Sequence, residues 1–453
     1  MRLLILLVFL RAPLPAQTEV SRIEADARAF LIDLIKLDTT NPPGNETRVA
    51  EYLAKVCRAE GIEVELLGPD ASRKSFVARL KGSGAKRPLL LMAHSDVVPA
   101  DPKLWTVSPF SAQIRDGYVY GRGASDDKSL LAAELAVFLD LKRKKVKLNR
   151  DVILLSEADE EAGSTAINWL IANVYPKIDA EFAINEGGGA MGVGDKTVYQ
   201  IQTSEKIPTR VTISAKGTAG HGSLPRADNP VVHLAEAVLK LARAEQPVRL
   251  NTTTRRYFSE LAKLPQYSWV SPYVDKLESR EAAEAIALRD AELNAMLRTS
   301  VSPTMLSAGM KNNVIPNLAE STIDVRRLPN ESKQEVIERF KRIINDPAVE
   351  VLPAVGQDMP ATEPSSLTTD LYLAMERIFG AEEGARVIPF MSRGATDGSY
   401  LRQKGMAVYG IPIFKRDGTE SRAHGNDERM QLDNLSRGAG LLRRIVLEVA
   451  EAR

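Results

Sequence analysis

Acidic residues and a histidine follow three short apolar runs of the chain, and side chains of these types are common ligands of divalent metal ions. In chain order they are His94 and Asp96 after the run 88–93, Glu157, Asp159, Glu160 and Glu161 after the run 152–156, and Glu186 after the run 182–184. The four acids within 157–161 would repel one another unless a cation compensated their charge. This spacing predicts a cation site built from residues at the ends of the three runs.

Two further segments offer ligands of the same kinds. Asp126 and Asp127 come shortly after the glycine-containing turn 121–123, and His424 lies near the end of the chain. All the segments together could hold two divalent ions that share one bridging carboxylate at a separation of about 3.5–4 Å. Taken singly, each segment also fits a structural role, because aspartates cap helices and loop histidines commonly form ordinary hydrogen bonds.

The composition limits the chemistry further. The chain of 453 residues has 60 Lys and Arg against 59 Asp and Glu, and its net charge of +1 does not favour nucleic acid as a partner. Its single cysteine, Cys57, excludes an intramolecular disulfide and any zinc site built on cysteine pairs. A metal site must therefore use carboxylates and some of the four histidines. Of these, His233 lies in an apolar helical pattern and is expected to pack in a core.

The elements that position these residues can be predicted from periodicity. The three apolar runs indicate buried strands, and helical periodicity occupies 129–141 and 164–171 between them. This alternation predicts an α/β fold with a mixed sheet flanked by helices. Because ligands in such sheets bind beyond the carboxyl ends of the strands, we expect all the candidate ligands at one edge of a single sheet.

From about residue 209 the pattern changes to the order β-α-β-β-α-β, which is typical of a ferredoxin-like α+β domain. A polar, helix-prone insertion at about 251–298 interrupts it, and the α/β pattern resumes further on. We therefore predict one domain made of 18–207 and 359–453, with a second domain, 208–358, inserted in it.

The N-terminus has the features of an export signal. Met1 and Arg2 precede eight apolar residues, 3–10, and an Ala- and Pro-bearing stretch follows. This run is shorter than the about 20 residues that cross a bilayer, so the pattern favours a signal peptide over 1–17 rather than a membrane span. We expect the protein to be periplasmic or secreted, with no membrane-spanning segment.

The sequence resembles the co-catalytic zinc amidohydrolases and exopeptidases, which include aminoacylase, acetylornithine deacetylase, succinyl-diaminopimelate desuccinylase, bacterial glutamate carboxypeptidase and carnosinase. The resemblance covers nearly all of the chain after 1–17. Its ordered motifs are Thr39-Thr40-Asn41-Pro42-Pro43-Gly44, His94-Ser95-Asp96, Trp105 to Phe110, Gly121-Arg122-Gly123 with Asp126-Asp127-Lys128, Asp159-Glu160-Glu161, Gly220-His221, Asn313-Val314-Ile315-Pro316 and His424-Gly425.

This resemblance implies a role for each candidate residue. It assigns Asp126 as the bridge between two metal ions, His94 and Glu186 to one ion, and Glu161 and His424 to the other. Asp96 would orient His94, and Glu160 would act as the general base. The implied reaction is hydrolysis of an amide or peptide bond. Zinc is the expected metal, and cobalt and manganese accept the same ligands.

The resemblance also implies that the inserted domain is a lid and a dimerisation domain. His221 would reach the active site of a neighbouring subunit and stabilise the oxyanion. Asn313, Arg326 and Gly394 match substrate-side positions, and Arg326 would clamp a free carboxylate. The expected partners are a second copy of the chain and a substrate that is a small peptide or an N-acyl amino acid.

Two alternative functions remain open at this point. One is a member of the family with a single zinc ion or with specificity for arginine derivatives. The other is an exported protein of the same fold that binds amino acids or peptides without catalysis. A binding protein has no need of adjacent glutamates at 160–161, so this pair favours an enzyme.

Overall fold

The computed structural model describes residues 22–353, 359–417 and 422–452. The predicted signal peptide, 1–17, lies outside these residues. Within them, every helix is too short or too polar to cross a bilayer.

The first part of the chain alternates helices and strands. Its helices are α1 (Arg22–Ile35), α2 (Thr47–Ala59), α3 (Lys128–Arg143) and α4 (Thr165–Asn173), with 3₁₀ turns at Pro102–Leu104 and Tyr175–Lys177. Its strands are β1 (Val64–Leu67), β2 (Ser75–Leu80), β3 (Leu89–His94), β4 (Gln113–Arg115), β5 (Tyr118–Tyr120), β6 (Val152–Glu157), β7 (Phe182–Asn185), β8 (Gly189–Val193) and β9 (Lys196–Glu205). The three predicted strands correspond to β3, β6 and β7.

The middle part carries a second set of elements. Its strands are β10 (Ile207–Lys216), β11 (Gly220–His221), β12 (Ser300–Ala308), β13 (Val314–Ile315), β14 (Leu318–Arg327) and β15 (Val349–Pro353). Its helices are α5 (Pro230–Arg243), α6 (Thr252–Leu261), α7 (Arg280–Arg289), α8 (Ala291–Leu297) and α9 (Lys333–Ile344), with a 3₁₀ segment at Pro265–Lys276. The last part contributes α10 (Asp370–Gly380), β16 (Ala385–Ser392), α11 (Gly398–Gln403), β17 (Ala407–Gly410), β18 (Arg429–Gln431) and α12 (Leu432–Ala450).

A central mixed sheet has the strand order β1-β2-β6-β3-β7-β17-β9-β16, with β8 paired to β9. The strands β6, β3, β7 and β17 run parallel, whereas β2 and β9 pair antiparallel to their neighbours β6 and β17. This arrangement confirms the predicted mixed sheet flanked by helices.

Burial on both faces explains why β3 is apolar throughout. Leu89 and Leu91 pack against the cluster formed by α1, α3 and α12, whereas Leu90 and Met92 pack against residues of α4 and α11 on the opposite face. Successive side chains of a strand point to opposite faces, so a strand covered on both sides is a continuous apolar run. His94 is the first polar residue of this run and stands at its carboxyl end.

The middle part forms a four-stranded antiparallel sheet in the order β12-β14-β10-β15. Helices α5 and α9 cover one face, where Leu234 and Phe340 pack on Ile213 and Ile323 of the sheet. The connectivity β10-α5-β12-β14-α9-β15 is the predicted β-α-β-β-α-β order. We call these elements the four-stranded unit.

The helical insertion, 251–298, leaves the four-stranded unit after α5 and returns to it at β12. Its apolar side chains nevertheless pack mainly against the central sheet. Phe258 and Met296 share a buried cluster with Val198 of β9 and Ile388 of β16. The insertion therefore covers the edge of the central sheet.

Candidate metal centre

His94, at the end of β3, is oriented by contacts on both ring nitrogens. Its side chain is 1% exposed. Nδ1 lies 3.0 Å from the backbone oxygen of Asp96 and 3.5 Å from the Asp96 carboxylate, and Nε2 lies 3.0 Å from Asp126 Oδ1. A metal-binding histidine commonly has its second nitrogen fixed in this way.

Asp126 is shared by two groups of possible metal ligands. The first group is His94, Asp126 and Glu186, and the second is Asp126, Glu161 and His424; within each group the ligand atoms lie within 4.8 Å of one another. His424 Nε2 is 3.1 Å from Glu161 Oε1 and 3.2 Å from Asp126 Oδ2, whereas the other Asp126 oxygen faces His94. One imidazole and two carboxylates around each position suit a pair of divalent ions bridged by Asp126.

Glu428 holds the loop that carries Asp126. Its buried carboxylate accepts hydrogen bonds from the backbone N–H groups of Gly123, Ser125 and Asp126 at 3.0, 2.8 and 3.0 Å, and it pairs with buried Arg122 at 2.7 Å. Glu428 was not among the residues predicted for the site from the sequence.

Asp96 holds the acidic loop in the same manner. Its carboxylate accepts the backbone N–H groups of Glu160 at 3.1 Å and Glu161 at 3.0 Å, and it accepts the side-chain amide of Asn41 at 2.8 Å. Asn41 also donates to Asp159 at 3.0 Å. Asp96 therefore links His94 to both glutamates, which is more than the orienting role expected for it.

The histidines and Asp126 shift one another's acidity. Burial alone would raise the pKa of Asp126, but its hydrogen bonds with His424 and His94 hold it well below the usual range. The same contacts act on the imidazoles. Burial would lower the pKa of His94, yet Asp126 and Asp96 raise it well above its ordinary value, and Asp126 and Glu161 raise the pKa of His424 to about 10. The same nitrogen and oxygen atoms would bind divalent cations, so metal binding competes with protons here.

The pKa values of Glu160 and Glu186 are raised, in contrast to that of Asp126. Burial, together with the charge of Glu186, raises the pKa of Glu160 well above its ordinary value. Burial likewise raises the pKa of Glu186. A raised pKa makes a carboxylate a stronger proton acceptor, which suits Glu160 to the role of general base.

The family model described as peptidase family M20/M25/M40 matches residues 90–448, which include all the proposed metal ligands. The chain belongs to this family. The predicted resemblance is therefore confirmed, and the M20 chain is a metal-dependent hydrolase of amide bonds.

Known proteins support this assignment. Human N-fatty-acyl-amino acid synthase/hydrolase PM20D1 is 30% identical over 379 residues, which are 79% of this M20 chain and 73% of the human protein. An M20 family metallo-carboxypeptidase from Sulfolobus solfataricus, Sso-CP2, has the same fold with a TM-score of 0.71 and 24% identity over 94% of this chain and 99% of its own. The Bacillus subtilis YXEP protein, a dinuclear metal binding peptidase from the family, has a TM-score of 0.60 and 16% identity over 94% and 98% of the two chains.

The M20 site departs from one expectation. Only His94 and the glutamates lie at carboxyl ends of central strands. Asp126 follows β5 and His424 precedes β18, and these two strands belong to a separate three-stranded sheet, β18-β5-β4. The expectation that all the ligands lie at the edge of one sheet is therefore wrong. The loops of the smaller sheet supply the bridging aspartate and the second histidine.

The substrate-side candidates of the M20 chain lie on other elements. His221 and Asn313 meet where β11 pairs with β13, because Gly222 N–H donates to the Asn313 carbonyl at 2.8 Å. Both side chains are exposed, and the described residues include no contact from either of them to the metal-ligand groups. His221 Nδ1 lies 2.7 Å from the hydroxyl of Ser223.

Arg326 and Gly394 are also accessible. Arg326 lies near the end of β14, with 38% of its side chain exposed and an ion pair of 3.1 Å to Asp324. Gly394 lies in the loop between β16 and α11. The fourth histidine differs from its expectation, because His233 is not in a core. It is half-buried on α5, outside the apolar cluster of the four-stranded unit, and pairs with Asp346 at 2.6 Å.

Proposed function

We propose that the chain hydrolyses N-acyl amino acids that carry a free carboxylate, using two zinc ions and Glu160 as the general base. The observation that supports this most directly is the position of Asp126 between two groups that each add one histidine and one glutamate. Imidazole nitrogens and carboxylate oxygens are suitable zinc ligands, and cobalt and manganese accept the same set. The human relative with 30% identity is named for N-fatty-acyl amino acids, which supports this class of substrate.

The ligand residues fit two ions. When bound, divalent ions polarise a scissile carbonyl and make water more acidic. Glu160 stands beside Glu161 in the loop that Asp96 holds by two backbone hydrogen bonds. Its raised pKa lets it take a proton from water and return that proton to the leaving nitrogen.

Arg326 and Asn313 would bind the substrate from the four-stranded unit, which acts as a lid. A guanidinium binds a carboxylate with two parallel hydrogen bonds, so Arg326 suits the free acid of an amino acid. His221 would stabilise the developing oxyanion from the partner subunit of a homodimer. Its exposed position in the lid supports this role.

The lid carries a surface that suits a second copy of the chain. Large apolar side chains are exposed along the edge strand β12 and on α5: Val231, Val232, Leu239, Met305 and Leu306. An edge strand has unpaired backbone groups, and an exposed apolar patch beside it is typical of an interface. We propose a homodimer through this surface, and export directed by 1–17.

A substrate panel with metal analysis tests the proposal. Purified enzyme loaded with zinc, cobalt or manganese is assayed on N-acyl amino acids, their amides and dipeptides, and its metal content is measured in the same sample. We expect two ions per chain and the highest kcat/KM on N-acyl amino acids with a free acid. Faster cleavage of dipeptides would contradict the proposed substrate class, and one ion per chain at full activity would contradict the dinuclear centre.

A further inference from the structure

Glu205 is the last residue of β9, and its buried carboxylate is bonded to three other side chains. One oxygen accepts from the guanidinium of Arg402 at 2.8 Å. The other oxygen accepts from the side-chain amide of Gln202 at 2.8 Å and from the hydroxyl of Thr396 at 3.0 Å. Hydrogen bonds to a charged acceptor are strong, and more so in a buried setting, so Glu205 fixes the positions of these three groups.

A bulge in β9 places Gln202 and Glu205 side by side. Side chains three residues apart point to opposite faces of a regular strand. Consecutive residues of β16, however, pair with Gln202 and Ser204, which leaves Thr203 as an extra residue. The extra residue shifts the alternation, so the side chains of Gln202 and Glu205 can meet and form their hydrogen bond.

Gln202 connects Glu205 to the residue that follows the metal ligand Glu186. Its buried side chain packs on Gly187, where a Cβ would lie 2.3 Å from the Gln202 amide oxygen. Gly187 also has a φ of +102°, so both its backbone conformation and this close approach require glycine. The turn after Glu186 therefore rests on a side chain that Glu205 holds.

Thr396 connects Glu205 to the residue that precedes Glu186. The side-chain amide of Asn185 donates to the Thr396 hydroxyl at 3.4 Å, and this hydroxyl in turn donates to Glu205. Asn185 is the last residue of β7, and Glu186 comes next in the chain. Contacts that start from the Glu205 carboxylate thus reach the metal ligand Glu186 from both sides.

We infer that Glu205 is a positioning residue for Glu186 and controls metal binding at the position formed by Glu186, His94 and Asp126. The inference rests on the proposed dinuclear function. Among the described residues, the two groups of possible metal ligands do not include Glu205. Glu205 therefore acts through the residues on either side of Glu186, by fixing the direction in which its carboxylate points.

The other metal position has anchors of its own. Asp96 accepts the backbone N–H of Glu161, and Glu428 accepts that of the shared ligand Asp126. Neither of these hydrogen bonds involves Glu205. A change at Glu205 should consequently weaken the Glu186 position and leave the Glu161 position intact.

Glu205→Gln tests this inference with little change in shape. A glutamine side chain has one acceptor oxygen, whereas the carboxylate has two, and its amide nitrogen is a donor. This nitrogen would face another donor, either Arg402 or the pair of Gln202 and Thr396, so one anchor is lost. We expect zinc affinity at the Glu186 position, measured by calorimetry on the metal-free protein, to fall roughly tenfold or more.

Glu161→Gln shows which position is affected, because it removes a ligand of the other ion. Free zinc is buffered at about three times the dissociation constant of the ion that Glu161→Gln retains. Occupancy of that position is then about three quarters, and adding Glu205→Gln should reduce it to about one quarter. An unchanged occupancy in the double variant would overturn the inference.

Glu331→Gln is the matched control. Glu331 is 1% exposed and pairs with Arg339 in the four-stranded unit, so this change also breaks a buried ion pair. Urea unfolding should show a loss of stability in both single variants. In the Glu161→Gln background, however, Glu331→Gln should keep the zinc occupancy. An equal loss of zinc with Glu331→Gln would show that Glu205 contributes only to stability and would overturn the inference.

Thr396→Val provides a second test that leaves the ion pair of Glu205 and Arg402 in place. It removes the hydroxyl between Glu205 and Asn185, so zinc affinity at the Glu186 position should fall, by less than in Glu205→Gln. If Glu205→Gln does not fold, an unchanged affinity in Thr396→Val overturns the inference. Wild-type enzyme that binds one ion per chain at full activity would instead overturn the proposed dinuclear function.

Discussion

Glu428 accepts the backbone N–H of Asp126, so the loop that presents His424 also holds the carboxylate proposed to bridge the metals. The two segments are about 300 residues apart in sequence. Glu428 is fully buried, and its partner Arg122 is 2% exposed. The position of Asp126 therefore depends on a buried carboxylate that is not itself among the proposed metal ligands.

Glu428→Ala should be strongly destabilising, because it leaves the buried guanidinium of Arg122 without its carboxylate partner. We expect a loss of about 3–5 kcal/mol in the free energy of unfolding, measured with urea. Metal affinity, measured by calorimetry, should fall as well, because the Asp126 loop loses its anchor. Asp433→Ala is the control, since Asp433 forms an exposed ion pair with Arg28 that should contribute about 0–1 kcal/mol.

Glu160→Gln and Glu161→Gln should separate catalysis from metal binding. Gln at 160 cannot accept a proton, so kcat should fall by several orders of magnitude while both ions remain bound. Gln at 161 removes a charged ligand, so one ion should be lost together with activity. Metal content and kcat measured on the same samples check both results. Retention of metal and activity in the two variants would show that the roles of these glutamates are misassigned.

Metal binding should release protons and become tighter as the pH rises. In the metal-free protein we expect the imidazoles to hold protons, because carboxylate contacts raise the pKa of His424 to about 10 and that of His94 above its ordinary value. A cation must displace these protons. Calorimetry in buffers of different ionisation enthalpy measures the number released.

The same shift affects the metal-free fold. For His424 the raised pKa contributes stability that is complete below its ordinary value of 6.5 and is lost as the pH rises towards 10. A chelated sample should therefore unfold more easily at pH 9 than at pH 6, with the zinc-loaded sample showing a smaller difference. Affinity for zinc that does not change with pH would contradict these protonation states.

Arg326→Lys should weaken binding of free-acid substrates more than binding of their amides. Lysine keeps the charge but cannot form the two parallel hydrogen bonds of a guanidinium with a carboxylate. The KM for an N-acyl amino acid and for its amide, compared in wild type and variant, measures the difference. Equal losses on both substrates would assign Arg326 to the structure of the lid.

His221 can be tested by mixing two inactive variants. In a mixed dimer of His221→Ala and Glu160→Ala, the site that keeps Glu160 can receive His221 from the other chain. Random pairing makes half of the dimers mixed, and each mixed dimer has one complete site out of its two sites. About a quarter of wild-type activity should therefore return. If His221 serves its own chain, no site is complete, and activity stays at the level of the separate variants.

The sequence and the structure agree where local pattern decides the element. Strands β3, β6 and β7 are apolar because both of their faces are covered, and they carry His94, the two glutamates and Glu186 to the site. Strand β9 was not predicted, because it buries polar residues such as Gln202, which a search for apolar runs does not detect. The tie between Glu428 and Asp126 is a contact between distant segments that no local pattern indicates. The same is true of the packing of the helical insertion on β9 and β16.

The helical insertion has a mechanical consequence for the lid. Lys206 alone links β9 to β10, and its amine donates to the carbonyls of Ala295 and Arg298 in the insertion, both at 2.8 Å. The lid is thus attached to the central sheet by this linker and also by the insertion that packs across it. We expect a lid restrained by the insertion as well as by its chain connections to swing less freely than one joined by the chain connections alone. The lid then loses less conformational freedom when a substrate closes the site. In return, the site can admit a narrower range of substrate shapes.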